Sequence, residues 1–142
     1  MIFLCINGRK KKIKNSVKYL IDWNSNCRSG IQKEVKEILS NHWFADVVFE
    51  EFPVAGTRLT FDFFNATRNV VIEVDGNQHY KYNKFFHSNS RQNFLAQLKR
   101  DEKKEYFCEL NNIKLLRVLE SEIVKGQFPD KHFIENLQDA NS

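Results

Sequence analysis

Asp62 sits in an apolar run between Phe61 and the pair Phe63-Phe64, and Glu73 sits in another, the stretch VVIEVDG of residues 70–76. Burying a carboxylate among such side chains is costly unless something pairs with it. Two acid-bearing strands so close in sequence are natural neighbours in a sheet, and a cation between them is the economical way to keep both charges. Asp62, Glu73 and the main-chain carbonyl of Val74 make a hard, all-oxygen donor set that suits Mg²⁺ or Mn²⁺ with several waters retained. An ion of this kind acidifies a bound water and offsets charge on a phosphate. Asp75 shares a strand face with Glu73 if extended geometry persists. His79, with an ordinary pKa near neutrality, is a candidate general acid or base. Taken singly, each acid also reads as the polar side of a half-exposed strand; their combination with Gly76, His79 and basic flanks points to a site.

The elements that position these groups follow from periodicity. Residues 59–64 and 70–74 read as adjacent strands joined by the polar loop NATRN. Residues 47–52 form a strand before them, stopped by Pro53 and Gly56. Upstream, Ser29 lies three residues before Gln32, as a capping box requires, and Ile31, Val35, Ile38 and Leu39 give a helical stripe ending at Leu39 or Ser40. Glu34 lies at the edge of that stripe, within reach of the core, whereas Glu37 lies well away and is solvated. Downstream, the segment HYKYNKFFHSNSRQN reads as a binding loop. A helix is expected over 94–111, with Tyr106, Phe107 and Leu110 on its inward side and Lys103, Lys99 and Arg100 one or two turns earlier on that side. Asn111-Asn112 offers a left-handed C-cap, KLLRV a last strand, and residues 129–137 a short helix opened by proline. At the other end, Asn7-Gly8 predicts a hairpin with both turn residues at positive φ, followed by the arm of Lys10, Lys11 and Lys12. That arm suits either an aggregation-resistant edge strand or contact with phosphates. Residues 17–23 are apolar and fit strand or helix equally.

The chain of 142 residues suffices for one domain with a real core. Charge is unevenly spread: residues 1–40 carry nine Lys or Arg against three Asp or Glu, residues 41–80 two against six, and residues 81–142 eleven against nine. Basic flanks around an acidic centre suit a polyanion held over a cation site, and also suit charges sorted onto solvated faces. Cys5, Cys27 and Cys108 form no CxxC pair and are odd in number, which predicts reduced thiols in a cytoplasmic protein. No apolar run is long enough to span a membrane, and the basic run follows the apolar start, the wrong order for a secretory signal.

These residues together resemble the PD-(D/E)XK nuclease superfamily, in particular its branch related to the very short patch repair endonucleases, over about residues 30–120. Asp62, the VVIEVDG strand with His79, the pair Arg100-Asp101 and KLLRV match that branch in order, and Glu34 matches by position the Glu that some members, homing endonucleases among them, carry on the first helix. Phe61 stands where the motif has proline, and Asp75 where it has lysine; Lys103, Lys104 or His79 is left to supply that function. The zinc-binding cysteines of the mismatch-repair members are absent, so mismatch specificity is not implied.

The resemblance implies a restriction-endonuclease-like α/β fold: a mixed sheet of about four strands flanked by helices, residues 24–142, preceded by a basic hairpin extension, residues 1–23. It implies a Mg²⁺- or Mn²⁺-dependent endonuclease acting on DNA, most simply double-stranded. Asp62, Glu73 and Val74 would hold the metal, and Asp75, His79 and Glu34 would complete the catalytic set. Lys10, Lys11, Lys12, Arg100, Lys103 and Lys104 would contact nucleic acid. A homodimer would cut both strands, with the start MIFLCI as one interface. The alternative is a catalytically inactive protein that binds nucleic acid or a partner on the same scaffold. The sequence also has a phage-like flavour, which would place the protein in a host cytoplasm.

Overall fold

The computed structural model describes residues 1–75, 88–120 and 123. In chain order these form β1 (Ile2–Leu4), β2 (Lys10–Lys12), a 3-10 turn (Ser16–Tyr19), α1 (Gly30–Trp43), β3 (Val48–Pro53), β4 (Thr60–Asn65), β5 (Val70–Asp75), α2 (Ser88–Leu110) and β6 (Lys114–Leu119). The central sheet runs β3-β4-β5-β6. Its first two pairings are antiparallel and the third is parallel, with α2 as the crossover. This is the mixed α/β sheet of four strands expected from the sequence.

Both sheet faces are covered, which explains why phenylalanine occupies both sides of β4. On one face α1 lays Val35, Ile38, Leu39 and Trp43 against Val48, Phe63, Val70 and Ile72. On the other, the N-terminal hairpin and α2 bring Phe3, Cys5, Phe107 and Cys108 onto Phe49, Phe52, Phe61 and Phe64. The hairpin is therefore built into the main core: Phe3 meets Phe52 at 5.9 Å and Phe107 at 5.6 Å between ring centroids. Phe3 and Cys5, two residues of the start MIFLCI, are consumed by this packing, while Ile2 and Leu4 stay exposed.

Strand alternation slips at one place. Phe49 and Phe52, three residues apart, would face opposite ways in a regular strand, yet their rings lie 4.8 Å apart. Glu51, between them, has φ of +52°. Phe61 and Phe64 show the same slip, packing in one cluster across Asp62.

Several local expectations need correction. The Asn7-Gly8 turn exists, but only Gly8 takes positive φ, at +85°. Cys5 donates its N–H to Arg9 O at 2.7 Å and accepts that of Gly8 at 2.9 Å. This is a three-residue loop, in which the Asn7 side chain accepts the Arg9 N–H at 3.0 Å. Ser29 caps α1 as expected, its Oγ accepting the Gln32 N–H at 3.1 Å; the helix continues past Ser40 because Trp43 extends the stripe of Val35 and Leu39. Residues 88–93 are helical instead of loop, since nothing in SNSRQN breaks a helix. The expectations for His79, for residues 79–87 and for a helix over 129–137 lie outside the described residues.

The C-terminus of α2 closes as foreseen, with Asn112 at φ +54° and the Ile113 N–H donating to Cys108 O at 2.8 Å. Asn111 does something more. Its side-chain Oδ1 accepts the Leu4 N–H at 2.8 Å and its Nδ2 donates to Leu4 O at 2.9 Å. The carboxamide thus satisfies the outer edge of β1 as a neighbouring strand would.

Candidate functional site

The β4–β5 ladder pairs Phe63 with Ile72, Phe64 with Val71 and Asn65 with Val70. The next pair in register is Asp62 with Glu73, and there side chains replace the ladder. Asp62 donates its N–H to Glu73 Oε2 at 2.8 Å, and Asp62 Oδ2 accepts the N–H of Val74 at 2.8 Å. Each carboxylate is thereby fixed by main chain of the opposite strand. In an extended strand a residue's N–H and C=O point toward the same neighbour, so the Val74 carbonyl also faces the β4 side, beside Asp62.

The two acids differ in how their charge is met. Glu73, 3% exposed, receives the ammonium of Lys104 from α2 in an ion pair. Among the described residues, what favours the charge on Asp62 is the Val74 N–H and the more distant Lys104. Burial, and then the adjacent Glu73 charge, push its pKa up to about 8. Glu51 adds to that field from the strand beyond: the β3–β4 register, pairing Glu50 with Phe63 and Phe52 with Phe61, sets it opposite Asp62. Gln32 Nε2 donates to Glu51 Oε1 and Thr60 Oγ1 to Oε2, both at 3.1 Å, and Arg28 lies 3.4 Å from Oε2. Glu51, Asp62 and Glu73 thus make one row across three strands, flanked by Gln32 of α1 and Lys104 of α2.

The structure sorts the remaining expected residues. Of Lys103 and Lys104, Lys104 is the one at the acids; Lys103 and Arg100 are exposed on α2. The inward face of α2 runs through Asp101, Lys104, Phe107 and Cys108, while Tyr106 points out at 47% exposure. The expected face is rotated by about one residue, roughly 100°, because Cys108 and not Tyr106 completes the core stripe. Glu34 is half-buried but makes no hydrogen bond or ion pair among the described residues. The polar side chains that α1 sends to the strand acids are Gln32, to Glu51, and Lys36, to Glu50 at 3.1 Å. Asp75 is buried and faces Arg117 of β6 at 3.7 Å. Arg117 also meets Asp101 at 3.3 Å and Glu105 at 3.4 Å. Lys10, Lys11 and Lys12 are exposed along β2. His79 lies outside the described residues.

Glu51 escaped the sequence reading. Two adjacent glutamates in the otherwise apolar VVFEEF were the available signal.

A metal here would rest on few protein ligands. Among the described residues no group of three or more His, Cys, Asp or Glu side chains is arranged to hold an ion. Two carboxylates and a carbonyl nevertheless suit Mg²⁺, which keeps most of its waters, and the field that raises the proton affinity of Asp62 attracts any cation. The donor chemistry fits. Cys108, near Glu73, offers no rival chemistry: burial and that charge push its thiol up to about 12.

Two viral proteins resemble part of the chain. Uncharacterized protein 033L of Invertebrate iridescent virus 3 is 39% identical over 66 residues, which cover 46% of this chain and 34% of that protein. Uncharacterized protein 094L of Frog virus 3 is 36% identical over 66 residues, covering 46% of this chain and 43% of that protein. The match thus spans about a third to two fifths of the length of these relatives. Both relatives are viral, and their names point to animal hosts and not to the bacterial host that a phage-like origin would imply. No family model matches the chain, and no solved structure does. No helix among the described residues is long and apolar enough to cross a membrane, and Cys5, Cys27 and Cys108 are all free.

Proposed function

We propose that the protein is a metal-dependent endonuclease that hydrolyses DNA phosphodiester bonds. The observation carrying this reading is the exchange between Asp62 and Glu73 where β4 and β5 part, with Lys104 on Glu73. Asp62, Glu73 and the Val74 carbonyl would hold Mg²⁺ or Mn²⁺, which when bound supplies an acidified water and a counter-charge for the phosphate. Lys104 stands in for the motif lysine that Asp75 displaces: it neutralises Glu73 and presents an ammonium toward the phosphate. Asp75 acts at a distance, by orienting Arg117. His79 remains the candidate for moving a proton at the leaving or attacking oxygen. The lysines of β2 would follow the backbone of a duplex, and a homodimer would bring two such sites to opposite strands. Three free thiols suit the reducing cytoplasm of an infected cell.

One observation favours a second reading. Lys104 already occupies Glu73, and Asp75 removes the motif lysine, as in a scaffold that binds nucleic acid without cutting it. Incubation with supercoiled, linear, single-stranded and branched DNA, with Mn²⁺ and with EDTA, separates the two. The enzyme nicks with Mn²⁺, stops with EDTA, and loses activity in Asp62→Ala while keeping its melting transition. A chain that binds DNA but cuts none of these substrates is the scaffold, and an Asp62→Ala variant of full activity sinks the assignment.

A further inference from the structure

A groove of about 460 Å³ opens between the hairpin turn, the β3–β4 turn and α2. Its polar lining among the described residues is Asn7, Thr57, Arg58 and Lys103, with no carboxylate among them. Most cations packed near the sheet already have an acid: Arg28 has Glu51, Lys36 has Glu50, Arg68 has Asp46, Lys104 has Glu73, and Arg117 has Asp75 and Asp101. Arg58 and Lys103 are exposed and have no such partner among the described residues. Two free cations facing one groove without an acid attract an anion.

The groove is also tied to the acids. Leu59, on its wall, lies three residues before Asp62, about 10 Å along a strand. Lys103, on the opposite wall, directly precedes Lys104, which holds Glu73. The walls are held close: a Cβ on Gly56 would lie 3.0 Å from Cys5 Sγ, so the hairpin is packed hard on the β3–β4 turn.

We propose that this groove is a phosphate subsite for the strand being cut, in which Arg58 and Lys103 grip a backbone phosphate one or two nucleotides from the one at Asp62 and Glu73. The inference rests on the nuclease reading for its substrate, but its test does not need cleavage. Binding of a fluorescent DNA duplex by the full chain is measured in EDTA across a salt series, for the wild type, Arg58→Ala, Lys103→Ala and the double variant. Lys33→Ala, a cation of α1 outside the groove, is the control. Each groove variant should weaken binding and lower the salt slope, and the double variant, which frees the one phosphate that both side chains hold, should lose about tenfold in affinity near 0.1 M salt and lower the slope by about one. Lys33→Ala should keep the wild-type slope. Melting midpoints within a degree or so of wild type show that the fold is intact, as expected for exposed side chains. Groove variants with the wild-type slope, or a wild type that binds no DNA, overturn the subsite. A wild type that never cuts, but whose slope falls in these variants, sinks the nuclease reading and leaves the subsite standing.

Discussion

Asp62 and Glu73 hold one another through main chain: Glu73 Oε2 accepts the N–H of Asp62, and Asp62 Oδ2 accepts the N–H of Val74, each at 2.8 Å. Two carboxylates are thereby locked side by side without a direct hydrogen bond between them. The arrangement costs ladder pairing at the end of β4 and concentrates negative charge, and both costs can be measured.

The first concerns pH. Asp62 holds its proton more tightly in the folded chain than in the unfolded one. The stabilisation from that proton is complete below the ordinary Asp pKa, roughly pH 4, and is lost as pH rises through about 8. Asp62→Asn keeps an acceptor for the Val74 N–H and carries no charge. At pH 9 it should be more stable than wild type, by about 1–3 kcal/mol, and this advantage should shrink to little by pH 5. Urea denaturation at pH 5, 7 and 9 reads the difference; an offset that ignores pH would show that Asp62 is not strained by its charge.

The second concerns Lys104. Removing its ammonium leaves Glu73 buried without its cation, so Lys104→Met should cost about 2–4 kcal/mol. Adding Glu73→Gln should recover most of that loss, because the stranded charge is then gone. A double-mutant cycle in urea gives the coupling. Additive losses would mean that the ion pair does not hold α2 to the sheet.

The third concerns the seam between hairpin and sheet. Gly56 has φ of +82°, and a Cβ there would meet Cys5 Sγ at 3.0 Å. Gly56→Ala should destabilise by about 1–3 kcal/mol through strain and crowding together. In a Cys5→Ala background only the strain remains, so the same substitution should cost less. Equal costs in both backgrounds would show that the hairpin yields at that contact.

The acid-bearing strands could be read from the sequence because a charge amid phenylalanines is conspicuous whatever the tertiary structure. The residues around them were harder to place, and each miss has a geometric cause. Lys104 and Lys103 differ by one position, about 100° on a helix, and choosing between them required knowing that Cys108 faces the core. Glu34 and Gln32 differ by about twice that angle; the capping pattern had already singled out Gln32, but for its main chain and not for its reach to Glu51. Glu51 itself was hidden by its positive φ, which shifts the phase of β3 where alternation was the only guide. Asp75 could be placed on the face of Glu73, yet its partner Arg117 comes from a strand some forty residues later.

The carboxamide of Asn111 against Leu4 has a consequence for how the chain is made. A two-stranded hairpin by itself is marginal in water, and Phe3 finds its ring partners only at Phe52, Phe64 and Phe107. During synthesis the hairpin must therefore wait until about a hundred more residues have been made, several seconds at usual rates of translation. Through that interval the exposed lysines of β2 set charge beside Ile2, Phe3 and Leu4, the kind of edge that resists pairing with other chains.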